Sequence, residues 1–383
     1  MFHIPVLYNI VMKKSVFEVL ERLNNKGYEA YLVGGAVRNF LLGMEIHDYD
    51  ITTSADPNAV KLIFDDYPQY DIGRKLGTVA IKVDGEKLEI TPFRKEGKYS
   101  DHRHPEDITY TDRLEDDLKR RDFTVNALCM DKDQRIIDLY HGIEDLNDHI
   151  IRAIGNPDTR FNEDALRILR ALRFKAKLGF EIEKETEESL FRNRDLLKHI
   201  SMERKRDELI EILSYPGSFR ILRGYKEIFD TFIELNNIDK DINNFSDPLY
   251  ALAYLYENNE FNLKELKLSK EQIDLIKVLS SFKNLNMDDE YTFISSLANN
   301  YPMDCLRYLE QNYGIDYREK YEELKDYIIQ LNDLDIDGNT LMDMGFEGKK
   351  IAEVKMKLLK LVHMRKICNE RDVLLKYIKQ NSL

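Results

Sequence analysis

The stretch YLVGGAVRNFLLGMEIHDYDITTS, residues 31–54, decides the fold. An apolar run stops at Gly34-Gly35, a short helical pattern (AVRNFLLG) follows, and DYDITTS reads as a second strand. Strand, glycine turn, helix and strand in that order predict an α/β module. Within the second strand Asp48 and Asp50 stand two apart, so alternation puts both carboxylates on one face. Asp is depleted in strands, and like charges held that close repel unless something neutralises them, commonly a divalent metal. The competing reading of these few residues is an exposed, Asp-rich turn.

Outward from this stretch the pattern stays mixed to about residue 140. SVFEVLERLNNKG has helical spacing and ends at Gly27, a C-cap residue. DPNAVKLIFDDY opens with Asp56 then Pro57, a helix start signal. TVAIKVDGEKLEITPFR predicts a hairpin about Asp84-Gly85. Beyond residue 140 the strand signals fade. NEDALRILRALRFKAKL, RKRDELIEILS, KEQIDLIKVLSSF and KKIAEVKMKLLKLV all carry helical periodicity. An α/β module followed by an all-helical remainder is therefore expected, with turn chemistry at Gly155-Asn156-Pro157 and Tyr215-Pro216-Gly217.

With 383 residues the chain exceeds what one compact core usually carries. The formal net charge of −13 argues against a uniformly basic coat but not against local basic surface. Residues 152–177 hold 7 basic and 3 acidic side chains, and residues 349–379 hold 10 and 3. Cys129, Cys305 and Cys368 form no C-x-x-C pair and predict reduced, buried thiols in a cytoplasmic protein. The apolar start MFHIPVLYNIVMKK lacks a leading basic segment and does not read as a signal peptide. No apolar run reaches the roughly 20 residues that cross a bilayer, so no membrane association is expected.

The chemistry gathers in a few segments. Gly34 and Gly35 at a strand-to-helix turn let backbone N–H groups approach a phosphate, and Arg38 adds positive charge. A phosphate cradle beside a metal-binding carboxylate pair suits nucleoside triphosphate chemistry. Glu89, on the hairpin, is the candidate third carboxylate for a two-metal, in-line attack on an α-phosphorus by a hydroxyl, with Mg²⁺ as the metal. In DLKRRDFTVNAL, Arg121 is placed to reach a triphosphate, Asp122 to accept from a ribose hydroxyl, and Asn126 to hold the loop or the sugar.

In RFNEDALRILRALRF, Asn162 is expected to cap a helix whose first turn holds Glu163 and Asp164. Asp164 and Arg167 are three apart and share a face, and Arg170 and Arg173 continue along it. A fixed Asp acceptor beside a fixed Arg donor matches cytosine and adenine, each of which offers an amino donor next to a ring-nitrogen acceptor. Uracil and guanine present the reverse and would leave polar groups facing like against like. The plainer alternative is a capped helix with a solvated basic stripe.

Taken in order, GGAVRNFLLGMEIHDYDITTS, LEITPFR, RRDFTVNAL, DLYHGIEDL, EDALRILRALRF and MERKRDEL resemble the class II, bacterial CCA-adding tRNA nucleotidyltransferases, in a polymerase β superfamily branch that includes bacterial poly(A) polymerases. A weaker match lies in LDIDGNTLMDMGFEGKKIAEVKMKLLKLV. The resemblance implies an α+β head with a mixed sheet (residues 1–142), then an all-α neck (143–205), body (206–290) and tail (291–383). It implies Asp48 and Asp50 as metal ligands, and Glu89 as the third acidic residue. Gly35, Arg38 and Arg121 match triphosphate contacts, Asp164 and Arg167 the base-reading pair, and Arg170 and Arg173 further nucleotide contacts. Asp138 and Gly142 match a hinge-like motif. Substrates would be CTP and ATP, and the partner tRNA, contacted through its acceptor and T arms. Asn39 replaces a usual Asp, and Pro92 stands where Thr is common. The polar segment KEGKYSDHRHPEDITYTDRLEDD corresponds to a loop linked in that family to the switch from C to A addition, and it looks full length.

His47-Asp48 also resembles the HD phosphohydrolase dipeptide, but the 8 histidines supply no matching set of further ligands. Nearer rivals are an A-adding enzyme and a poly(A) polymerase. A rival of another class is a non-catalytic RNA-binding protein on the same fold.

Overall fold

The computed structural model describes residues 12–72, 77–97, 108–238 and 245–381. The chain forms two units, residues 1–212 with 225–233, and residues 213–224 with 234–383. Residues 98–107 of the polar segment, on which the full-length reading rests, lie outside the described residues.

The first unit is built on a mixed sheet. Its strands are β1 (Ala30–Val33), β2 (Tyr49–Thr53), β3 (Gln69–Asp71), β4 (Val79–Val83) and β5 (Glu86–Pro92); after the ribbon β6 (Arg94–Glu96) and β7 (Ile108–Tyr110) come β8 (Leu128–Met130) and β9 (Ile136–Asp138). The sheet order is β3-β4-β5-β2-β1-β8-β9, with β6 and β7 pairing separately. Only β2 and β5 run parallel; the other neighbours are antiparallel. The Asp84-Gly85 hairpin forms as expected, both residues at positive φ (49° and 85°). Register puts Asp50 beside Val33 on one side and Glu89 on the other.

Helix α1 (Lys14–Asn25) buries Val16, Val19, Leu20 and Leu23, the i, i+3, i+4, i+7 stripe its sequence presents. Each such side chain contributes roughly 1.5–3 kcal/mol when fully buried. Helix α2 (Gly35–Leu42) starts directly from β1 through Gly34, at φ 73° and ψ −127°, a conformation that needs glycine. Gly43 closes α2 in the left-handed region. Asp56 caps α3 (Pro57–Ile63), accepting from the amides of Asn58 and Ala59. Short helices α4 (Leu114–Lys119) and α5 (Gly142–Asn147) flank β8 and β9 in sequence.

Past residue 140 the chain is mostly helical, apart from a two-residue parallel pair, β10 (Ile150–Ile151) and β11 (Glu181–Ile182), too short to show a period. The expected helix from Asn162 is corrected. Helix α6 (Pro157–Glu163) is capped by Asn156, whose side chain accepts from the Thr159 amide at 2.9 Å. Asn162 lies inside α6 and donates to the Asp158 carbonyl at 2.8 Å. Asp164 is extended (φ −134°, ψ 103°), and α7 (Leu166–Leu178) begins after it. Asn156-Pro157 is the stronger start signal, since proline at N1 costs no hydrogen bond and presets φ. Helices α8 (Lys184–Asn193) and α9 (Met202–Leu213) follow.

Helix α10 (Ser218–Gly224) belongs to the second unit and α11 (Lys226–Phe229) to the first. The second unit continues as α12 (Pro248–Asn258), α13 (Lys270–Ser280), α14 (Glu290–Leu297), α15 (Pro302–Tyr313), α16 (Arg318–Leu324), α17 (Gly338–Asp343), α18 (Lys349–His363) and α19 (Arg371–Gln380). Its C-terminal part closes on a core of Leu341, Val354, Leu358, Val362, Leu374 and Ile378. Cys129 and Cys305 are buried free thiols as expected; Cys368 is exposed instead, on the short turn between α18 and α19, where no core covers it. Among the described residues no helix is long and apolar enough to cross a membrane.

Candidate active site

One cleft in the first unit, of about 690 Å³, is lined by every candidate site residue except Glu89. Its floor is the end of β2. Asp50 opens into the cleft from the strand and Asp48 from the residue just before it. The protein around Asp50 raises the pKa of its carboxyl, and the charges of Glu89 and Asp48 add to this against the pull of Arg121. Such a group gains from a nearby cation, and an all-oxygen donor set suits a hard divalent one. Glu89 stands next to Asp50 in the sheet register, outside the cleft lining, and pairs with Lys87 at 2.7 Å. Among the described residues no group of three or more His, Cys, Asp or Glu is placed to hold a metal, so the aspartates stand as a pair.

The glycine turn lines the same cleft as the carboxylates, close to two guanidiniums. A Cβ at Gly34 would meet Arg121 Nη1 at 3.3 Å, and one at Gly35 would meet Arg38 Nη2 at 3.6 Å. Both arginines are held by the protein itself. Arg121 Nη2 donates to Asp117 at 3.2 Å, while its Nε is buried without a hydrogen-bond partner. Asp117, fully buried, also takes Arg120 at 2.7 Å and Thr52 Oγ1 at 3.1 Å. Burial alone would raise its pKa, but Arg121 and Arg120 hold it below the usual carboxylate value.

Asp122 organises the opposite wall. Its Oδ1 accepts from the Phe123 amide at 2.9 Å and from Asn126 at 3.0 Å; its Oδ2 takes Arg170 Nε at 2.8 Å. Arg170, Asn126 and Arg167 outweigh burial and push the Asp122 pKa far down. Asn126 in turn accepts from Arg38. Helices α2 and α7 are thus tied through one loop, in the order Arg38, Asn126, Asp122, Arg170. Both Asp122 oxygens accept from protein donors, so this residue holds Arg170 and Asn126 in place while it also lines the cleft.

The break between α6 and α7 presents Asp164 to the cleft. Its carboxylate accepts from the Leu166 amide at 3.1 Å and from Arg204 Nη2 on α9 at 3.1 Å. Arg167, one turn on, is buried; it donates to Glu163 at 2.8 Å, the Arg160 carbonyl at 3.1 Å and the Arg120 carbonyl at 2.7 Å. Both groups are anchored from outside, which fixes an acceptor and a donor side by side. Arg173 meets Glu208 at 2.8 Å.

Sequence reasoning missed several lining residues. The Phe174 ring lies 5.2 Å from the Arg38 guanidinium, 5.6 Å from Arg170 and 4.8 Å from Arg173, a cation–π centre for the basic wall. Its position four after Arg170 was a usable signal. Arg204 stood in the quoted MERKRDEL segment without a role. Glu96 and Arg120 carried no local signal. Lys177 also lines the cleft, and burial together with Arg38 and Arg173 lowers its pKa.

The chain is similar to known proteins over nearly its whole length. Residues 30–152 match the poly A polymerase head domain, and residues 179–227 match a probable RNA and SrmB-binding site of polymerase A. A CCA-adding enzyme of Lactobacillus helveticus is 35% identical over 389 residues, covering 94% of this chain and 95% of that protein. One from Geobacillus thermodenitrificans is 48% identical over 198 residues, 52% of this chain and 48% of that protein. The crystal structure of the Bacillus stearothermophilus CCA-adding enzyme in complex with CTP superposes with a TM-score of 0.81 at 28% identity, covering 97% of this chain and 98% of that one.

Proposed function

This chain belongs to the CCA-adding enzymes, and from that premise we propose that it completes or repairs the 3′-terminal C-C-A of tRNA from CTP and ATP, without a nucleic-acid template. The observation that carries the reading is a single cleft joining Asp48 and Asp50 to Arg38 and Arg121 on one side and to Asp164 and Arg167 on the other. In this reading the three pairs divide the work of nucleotidyl transfer.

Asp48 and Asp50 hold divalent cations, and Mg²⁺ suits their hard, all-oxygen donor set. When bound, such ions supply activation of the attacking 3′-hydroxyl and neutralisation of the departing pyrophosphate. Glu89, beside Asp50, adds negative charge to the same end of the sheet. The Gly34–Gly35 turn and the guanidiniums of Arg38 and Arg121 orient the triphosphate and balance its charge. Asp122 and Asn126 keep the Arg38 and Arg170 side chains aimed at the nucleotide. Asp164 accepts from the exocyclic amine of cytosine or adenine while Arg167 donates to the adjacent ring nitrogen. Uracil and guanine are rejected because each would pair acceptor with acceptor and donor with donor. Residues 1–142, 143–205, 206–290 and 291–383 serve as catalytic head, base-reading neck, body and tRNA-binding tail.

Incubation with CTP and ATP tests this on three transcripts: tRNA ending at the discriminator base, tRNA ending in C-C, and an unrelated RNA. The first should gain C-C-A and stop, the second a single A, and the third nothing. Extension of the second alone would make it an A-adding enzyme, and long adenosine tails on all three a poly(A) polymerase. Asp48→Ala and Asp50→Ala should each lower incorporation by about a thousandfold or more. An active double variant removes the metal assignment.

A further inference from the structure

The base-reading Arg167 is braced from a part of the chain that the sequence keeps far from it. Its Nη2 donates to the main-chain carbonyl of Arg120 at 2.7 Å. The side chain of that same Arg120 is clamped at both ends. Its Nη2 and Nε bind Asp117 Oδ1 at 2.7 and 3.0 Å, and its Nη1 reaches Glu96 Oε1 at 3.3 Å. Glu96 also takes Arg94 Nε at 2.9 Å, and its side chain is only 9% exposed. The result is a row of alternating charge, Arg94, Glu96, Arg120, Asp117, of which the first three line the cleft and the last is fully buried.

Glu96 does not belong to the sheet that carries the carboxylates. It ends β6, paired with Ile108 of β7, and the ribbon is fastened to α4 by Lys95 and Thr111, each bonded to Asp116, at 2.9 and 3.1 Å. The ribbon therefore ends on one side of Arg120, and the base reader leans on the other. We propose that Glu96, acting through Arg120, is a positioning residue that holds Arg167 in register for base discrimination.

The physical reason is the sensitivity of a two-bond readout to small displacements. Arg167 can distinguish cytosine from uracil only if its N–H groups stay where a ring nitrogen will sit. Its anchors are Glu163, the Arg160 carbonyl and the Arg120 carbonyl. The Arg120 carbonyl is fixed because the Arg120 side chain cannot turn. Removing the Glu96 charge leaves the Arg94 and Arg120 guanidiniums facing each other across a nearly dry space, and their repulsion loosens the clamp.

This inference rests on Arg167 reading the base, and the test separates the two claims. Single-turnover incorporation into tRNA lacking C-C-A is measured with CTP and with UTP for the intact chain, Glu96→Gln, Arg167→Lys and the double variant, with melting temperatures as a folding control. We expect Glu96→Gln to lower the CTP-over-UTP ratio by about tenfold, and the double variant to discriminate no worse than Arg167→Lys alone. A wild-type ratio in Glu96→Gln beside a loosened Arg167→Lys overturns the positioning role and leaves the base-reading intact. So does a uniform loss of rate with both nucleotides. An unchanged ratio in Arg167→Lys overturns the base-reading itself. Should Glu96→Gln fail to fold, Arg120→Lys keeps the charge and the carbonyl but loses the fork; it should loosen the ratio likewise, and a wild-type ratio there counts against the proposal.

Discussion

Asp122 shows how much one side chain does in this cleft. It is buried, accepts from a backbone amide, an Asn and an Arg, and has its pKa pushed down chiefly by Arg170 against the cost of burial. A depressed folded-state pKa means stability that is fully present above the unfolded value of about 4 and lost as pH falls through the folded value. Asp122→Asn keeps the shape but turns an amide group towards Arg170 or Asn126. It should cost about 3 kcal/mol at pH 7, and the gap from wild type should narrow as pH falls below about 4. Thermal melts across pH 3–7 measure this; a gap that does not change with pH would mean the carboxylate is not held ionised by Arg170. The sequence marks Asp122 as an acceptor for a ribose hydroxyl; that it also holds Arg170, 48 positions away, is visible only in the fold.

At the scale of elements, two junctions set the site. One is the break between α6 and α7, where the sequence predicted a continuous start at Asn162. Asn162 and Asn156 both have the chemistry of a cap, and only the second has a proline after it. The extended Asp164 is stabilised by Arg204 from another helix, which local spacing does not reveal. The second junction is Asp138 with Gly142. Asp138 accepts from the amides of Gly142 and Ile143, both at 2.9 Å, which starts α5. A Cβ on Gly142 would lie 2.4 Å from the Thr124 carbonyl, in the turn that carries Asn126. In open space Gly→Ala in a helix stabilises by about 0.5–1 kcal/mol. Here the added methyl meets backbone, so Gly142→Ala should destabilise by about 1–3 kcal/mol. A higher melting temperature in that variant would refute the close approach. The resemblance marked Gly142; the reason for it is the approach of two separate segments, visible only once folded.

Over the whole molecule the charge is unevenly spent. A chain of net charge −13 lines its cleft with Arg38, Arg121, Arg167, Arg170, Arg173 and Lys177 among others. In the second unit, α18 carries Lys349, Lys350, Lys357 and Lys360 exposed while Val354, Leu358 and Val362 build its core. If the tail holds tRNA, these lysines meet phosphates. Changing the four to Gln should raise the KM for tRNA and flatten its salt dependence by up to about one unit of log–log slope for each phosphate that is no longer neutralised, with kcat for bound tRNA nearly unchanged. An unaltered salt slope would remove α18 from the tRNA surface.

By itself the sequence determined the class of fold, the hairpin about Asp84-Gly85, the glycine turn, the aspartate pair and most members of the cleft wall. All of these follow from periods of two or 3.6 residues and from turn chemistry acting over a few positions. Only the tertiary structure decided which polar groups hold which. It leaves Glu89 beside the cleft instead of in it, gives Asp122 to Arg170, braces Asp164 with Arg204, and rests Arg167 on the Arg120 carbonyl 47 positions earlier. Buried charges must be paired wherever packing brings an opposite charge close, and that proximity is a property of the folded chain, not of neighbours in sequence.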